Sequence, residues 1–168
     1  AMVNSNDAGA PWYYEMHRLG FNYRLSEINC ALCLNQVKRL SANIQRRQEI
    51  AELYHSFLGD LDALRLPETV PLNGTTHAWH LFAPAFDFDQ IGKSRKQVMA
   101  ELADKGIGTQ VHYIPLYRQP YYLEDYSTGV FDGAETYYRK TLSIPMYFGL
   151  TDKDVETIST IVRSVIDS

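Results

Sequence analysis

Three side chains sit where the surrounding pattern gives them something to do. Asn22 and Arg24 belong to Gly20-Phe21-Asn22-Tyr23-Arg24-Leu25-Ser26, which runs straight into a long segment of helix formers. Free N–H groups and the helix dipole make such an N-terminus favourable for anions. An Arg fork matches phosphate or carboxylate oxygens, and an Asn amide adds a donor. A charge-assisted hydrogen bond of this kind is worth about 1.5–3 kcal/mol. The plainer reading is that Asn22 makes a turn and Arg24 a surface ion pair. His112 leads into Ile114-Pro115 at the end of a predicted strand, either reaching a cleft or satisfied inside the fold.

Other candidates carry less. Cys30 and Cys33 form a C-x-x-C one turn inside an apolar helix, where packing accounts for both. A redox pair would need a strand leading into a helix N-terminus, and a four-sulfur zinc site would need a second pair. His77 and His80 are three apart in a predicted strand, so they face opposite sides and make a poor metal pair. His17 and His55 look incidental. The sequence holds no H-E-x-x-H, P-loop or G-x-S-x-G motif.

The elements that must position these residues follow from periodicity. Ile28, Ala31, Leu32, Leu34, Val37 and Leu40 repeat at 3- and 4-residue intervals, and the pattern continues through Ile50, Tyr54 and Leu58 to Gly59. This predicts a helix over 26–58, capped by Ser26 and bent or broken near Ser41-Ala42-Asn43. Residues 59–75 read as loop and 77–86 as a strand in which Pro84 marks an end or an edge. Ser94 opens a helix closed by Gly106. Residues 107–114 alternate as a strand. A short helix follows over 133–141, then an extended turn at 143–146. Thr151 caps a last helix whose inner stripe is Val155, Ile158, Val162 and Val165. The result is a small α/β layer with two or three strands.

The 168 residues, 45% apolar and 21% charged, suffice for one domain, or one domain plus part of another. With net charge −4 the chain shows no nucleic-acid footprint. The basic Arg46-Arg47 pair and Lys93, Arg95 and Lys96 fall on predicted helix surfaces. No apolar run has membrane-spanning length and no signal peptide is evident, which points to the cytoplasm. Twelve tyrosines suit an interface, a sugar-facing pocket or a core edge. The loop carrying Trp12, Tyr13 and Tyr14 is sticky enough to dock on something.

Ordered blocks of the sequence carry a resemblance. Gly20-Phe21-Asn22-Tyr23-Arg24-Leu25-Ser26-Glu27-Ile28, then Gln36-Val37-Lys38-Arg39-Leu40, resemble the DegT/DnrJ/StrS-type sugar aminotransferases. So do His77-Ala78-Trp79-His80-Leu81-Phe82, the run from Gly106 to Leu116, Gln119-Pro120-Tyr121-Tyr122 and Leu142-Ser143-Ile144-Pro145-Met146. Cys30 stands where the family usually has Ala. The blocks are most similar to the branch that aminates UDP-4-keto-6-deoxy-hexosamines toward pseudaminic acid.

The resemblance implies a pyridoxal 5'-phosphate enzyme of the aspartate-aminotransferase fold, α/β (α+β) in class, with a large cofactor domain and a small C-terminal domain, working as a homodimer in surface polysaccharide or flagellin glycan synthesis. Residues 1–42 would be the tail of the large domain, with the interface loop and the start of a linker helix. Residues 43–168 would be the small domain. Asn22 would donate to the cofactor phosphate of the neighbouring subunit, reached through the 12–24 loop. Arg24 would help hold that phosphate or shape the loop. Tyr23, His112 and Tyr113 would face the nucleotide sugar, with the stretch from Tyr117 to Tyr122 as a wall. Glutamate would be the amino donor. The lysine that bonds the cofactor would lie upstream. None of Lys38, Lys93, Lys96, Lys105, Lys140 and Lys153 has the family's setting for it, so no catalytic residue is expected in this chain, and the chain alone is expected to be inactive. The competing readings are a stand-alone, non-catalytic domain that binds a nucleotide sugar or a protein, and a thiol redox protein.

Overall fold

The computed structural model describes residues 20–68, 74–120, 122, 129 and 131–168. The loop with Trp12, Tyr13 and Tyr14, together with His17 and Tyr121, lies outside them. The chain divides into two units, Ala1–Lys38 and Arg39–Ser168.

Helix α1, Glu27–Leu58, is continuous for 32 residues, about 48 Å at 1.5 Å per residue. It contains neither Pro nor Gly, and the helix is not broken at Ser41-Ala42-Asn43. Ser26 caps it: its hydroxyl accepts from the Asn29 N–H at 3.3 Å and its carbonyl from Cys30 at 2.9 Å. Ile50, Ala51, Tyr54 and Leu58 are buried. Along the first half, Ile28, Leu32, Leu34, Val37 and Leu40 are exposed despite their helical spacing. Cys30 and Cys33 are free and exposed as well, so packing among the described residues does not account for them.

The strands are shorter than periodicity predicts. β1 (Leu64–Arg65) arises inside the stretch read as loop and pairs antiparallel with β2 (Ala85–Phe86). Ala85 also bridges Thr141, Phe82 bridges Ile144, and Gln110 bridges Ser143. Ladder contacts therefore run outward from the 82–86 segment to 64–65 on one side and to 141–144 and then 110 on the other. Two local events curtail the expected strands. Trp79 takes φ 46°, with its N–H held by Nδ1 of His77 at 3.1 Å. The Val111 N–H is taken by the side chain of Gln110 at 2.9 Å, which ends the 107–114 ladder after one bridge.

Helices contribute to the same core as this ladder. After the one-turn α2 (Phe88–Ile91), α3 (Arg95–Asp104) opens with a capping box between Ser94 and Gln97. It closes on Gly106 at φ 81°, where Gly106 N–H meets Ala103 O and Ile107 N–H meets Leu102 O, a Schellman motif. Helix α4 spans Asp132–Lys140. Helix α5, Asp152–Ile166, has a Thr151–Asp154 capping box and buries Val155, Ile158, Val162 and Val165 as the spacing predicts. With Tyr54, Phe82, Phe86, Leu102 and Leu142 these residues form the core. The Tyr54 hydroxyl donates to Pro145 O at 2.8 Å, and burial pushes its ionisation well above the ordinary tyrosine range.

Arginines clasp distant backbone. Arg46 and Arg47 are half-buried rather than on an open helix surface. Arg47 Nη1 donates to Trp79 O at 2.7 Å, Met146 O at 3.1 Å and His80 O at 3.2 Å. Arg46 donates to Leu150 O at 2.6 Å and pairs with Asp152 at 2.8 Å. Arg163 of α5 donates to Phe57 O at 2.8 Å and pairs with Asp60. No helix among the described residues is long and apolar enough to cross a membrane.

Candidate functional site

In the first unit, Asn22, Tyr23 and Arg24 directly precede α1, and all three are exposed. Tyr23 takes φ 49° and its ring meets Phe21 edge-on at 5.5 Å. The Asn22 amide and the Arg24 guanidinium make no hydrogen bond or ion pair among the described residues. The surface ion pair considered for Arg24 is therefore not seen there. The N–H groups of Glu27 and Ile28 in the first turn are likewise open, since Ser26 takes those of Asn29 and Cys30. An amide, a guanidinium and two helix N–H groups make a donor set chemically suited to a phosphate.

In the second unit, His112 is half-buried and Tyr113 is 73% exposed. Their rings meet edge-on at 4.7 Å, and the peptide bond between them is cis. Nδ1 of His112 lies 2.8 Å from Oγ of Ser143, which is buried. Ser143 is held by its two-way backbone pairing with Gln110, at 3.2 and 2.8 Å. Tyr117, in the 3-10 turn Leu116–Arg118, donates to Glu135 of α4 at 2.8 Å. Arg118 pairs with the same carboxylate. The Tyr138 ring has the Arg95 guanidinium 4.8 Å and the Arg118 guanidinium 5.2 Å from its centre. The Tyr117 hydroxyl and then Arg118 hold the Glu135 carboxyl below its ordinary value, while burial and then the bond to Glu135 raise Tyr117.

The five predicted site residues thus fall in two groups, 22–24 in one unit and 112–113 in the other. None of them lines either of two surface clefts of about 450 and 500 Å³, one beside His55 and Trp79, the other beside Arg95 and Arg139. His55 is structural, with Nε2 3.1 Å from Pro67 O and its ring edge-on to Phe82. Among the described residues no group of three or more His, Cys, Asp or Glu could hold a metal. Sequence reasoning did not single out Ser143 or Glu135. Their partners lie 31 and 18 residues away along the chain, and no local motif marks either.

A turn whose donors have no partner among the described residues precedes a long helix, and an α+β layer ending in a capped helix follows it along the chain. The chain belongs to the DegT/DnrJ/EryC1/StrS aminotransferase family, whose model matches residues 3–163. It is 35% identical over 169 residues to the spore coat polysaccharide biosynthesis protein SpsC of Bacillus subtilis, covering 99% of this chain and 43% of SpsC. Its fold matches Helicobacter pylori PseC, an aminotransferase involved in the biosynthesis of pseudoaminic acid, with TM-score 0.79 at 28% identity. That match covers 93% of this chain and 41% of PseC. DesV of S. venezuelae, solved in complex with ketimine intermediate, matches with TM-score 0.79 and 28% identity over 95% of this chain and 42% of DesV. The chain therefore spans about two fifths of these proteins, and shares the mixed helix-and-sheet fold of that portion of the aminotransferases.

Proposed function

We propose that this chain is the C-terminal portion of a pyridoxal-phosphate-dependent enzyme. The enzyme moves an amino group from glutamate to a keto nucleotide sugar, a UDP-4-keto-6-deoxy-N-acetylhexosamine, in the cytoplasm. The chemistry a bound pyridoxal phosphate supplies is temporary custody of the amino group and a sink for the electrons released at the donor's carbon. The lysine that bonds it lies in the preceding part of the longer protein, so this chain supplies grip and orientation.

Residues 1–42 serve as the tail of the large domain and the interface loop, and 43–168 as the small domain. Asn22 donates its amide to the phosphate bound in the partner subunit of a homodimer, and Arg24 adds charge there. Tyr23, His112 and Tyr113 orient the nucleotide sugar, so that the keto carbon is presented in one geometry. Donation by His112 and stacking by the tyrosines suit a ligand with phosphoryl and sugar oxygens around a planar base.

The observation that carries this reading is the pair of donors at Asn22 and Arg24 that have no partner among the described residues, inside a family match running from residue 3 to residue 163. The test uses the full-length enzyme with L-glutamate and UDP-4-keto-6-deoxy-N-acetylhexosamine, following 2-oxoglutarate. Turnover is expected. Asn22→Ala is expected to weaken cofactor binding about tenfold, the loss of one charge-assisted hydrogen bond. A full-length protein without turnover, or an Asn22→Ala variant that keeps the cofactor as tightly, refutes the assignment.

A further inference from the structure

Ser143 is 6% exposed, and its backbone N–H and C=O are both committed to Gln110. Its hydroxyl makes no hydrogen bond among the described residues other than the 2.8 Å contact with Nδ1 of His112. A serine hydroxyl has one proton to give, and a buried donor without an acceptor is unfavourable. Nδ1 is the acceptor within reach. Were Nδ1–H to donate to Oγ instead, the hydroxyl proton would have no acceptor among the described residues.

We infer that Ser143 is a positioning residue that sets the tautomer of His112: the Ser143 hydroxyl donates to Nδ1, and the ring proton resides on Nε2. Nε2 has no partner among the described residues, and the edge-on Tyr113 ring at 4.7 Å completes the frame on the chain side. A neutral imidazole held this way presents a donor and no free lone pair. The group that faces it must be an acceptor oxygen, phosphoryl or carbonyl, and His112 does not take a proton from the ligand as a general base. This specifies the ligand chemistry at His112 and rests on the reading of that residue as facing the nucleotide sugar.

Long-range proton–nitrogen spectra of the imidazole in the 168-residue chain test it directly. The wild type is expected to show Nδ1 in the acceptor range and Nε2 in the protonated range. Ser143→Ala is expected to move both nitrogens toward exchange-averaged values, and Ser143→Thr, which keeps the hydroxyl, to restore the single tautomer. A wild-type ring protonated on Nδ1, or a Ser143→Ala ring identical to wild type, overturns the inference. Should the alanine variant fail to fold, the wild-type spectrum still decides.

In the intact enzyme, Ser143→Ala is expected to raise KM for UDP-4-keto-6-deoxy-N-acetylhexosamine about fivefold with kcat nearly unchanged. A fall in kcat at constant KM overturns the donor role. A KM left unmoved by both Ser143→Ala and His112→Ala refutes the pocket reading instead, and the spectra judge the tautomer independently.

Discussion

Arg47 offers the sharpest test of what holds the second unit together. One Nη1 atom donates to the carbonyls of Trp79, Met146 and His80 at 2.7, 3.1 and 3.2 Å. Three contacts from one nitrogen are not three full bonds. The shortest counts as one charged hydrogen bond, about 1.5–3 kcal/mol, and the Met146 contact as one of ordinary strength, about 0.5–1.5 kcal/mol. Arg47→Ala is therefore expected to cost about 3 kcal/mol in urea unfolding, with the midpoint lowered and the slope unchanged. In a chain of this size that lowers Tm by about 9 °C. Arg47→Lys should recover only part of the loss, because an ammonium is a point donor on a different stem and cannot repeat the planar reach. Arg39→Ala is the control: Arg39 is exposed and makes no hydrogen bond among the described residues, so it should stay within about 0.5 kcal/mol. An Arg47→Ala variant as stable as that control would refute the idea that this side chain fastens the 79–80 and 146 segments to α1.

Two further outcomes follow from geometry already given. Glu135, Asp87, Asp154 and Asp60 all titrate below their ordinary values, held down first by Tyr117, Lys140, Thr151 and Arg163 respectively. A depressed folded-state value means the stabilisation is present above the unfolded value, about pH 4, and is lost as pH falls through the folded one. Acid unfolding followed by circular dichroism should therefore show a loss beginning near pH 4, shallower in Glu135→Gln; an unchanged acid limb in that variant would count against the Tyr117–Glu135–Arg118 cluster. Gly106→Ala should cost about 1 kcal/mol in thermal melts: φ 81° is left-handed, and a Cβ there meets nothing within 4 Å, so the penalty is backbone strain alone. No loss would mean that the Schellman closure of α3 is dispensable.

Helices were legible in the sequence because their signals are local. Ser26, Ser94 and Thr151 each cap the helix they announce, and Gly106 ends α3 where its freedom is needed. The strands were legible in place but not in length, because what trims them is side-chain chemistry that alternation cannot encode. The Gln110 amide captures the next N–H, and the His77 ring captures that of Trp79. The spacing of Ile28, Leu32 and Val37 marks the helix that forms, but spacing does not name what covers these residues, and they are exposed. At the site, residue types drew attention to Asn22, Arg24 and His112. The groups that steady His112 and Tyr117 come from elsewhere in the chain, so they emerge only from the fold.

The clasping arginines also bear on time. Arg46 meets Leu150 across 104 residues of chain, Arg47 meets Met146 across 99, and Arg163 meets Phe57 across 106. Contacts that close such long loops are entropically costly to form early, so they are expected to form after the folding barrier is crossed. Interactions absent from the transition state leave the rate of assembly alone and slow disassembly. These three guanidinium groups act as latches that drop after the door has shut, and what they lengthen is the lifetime of the native state.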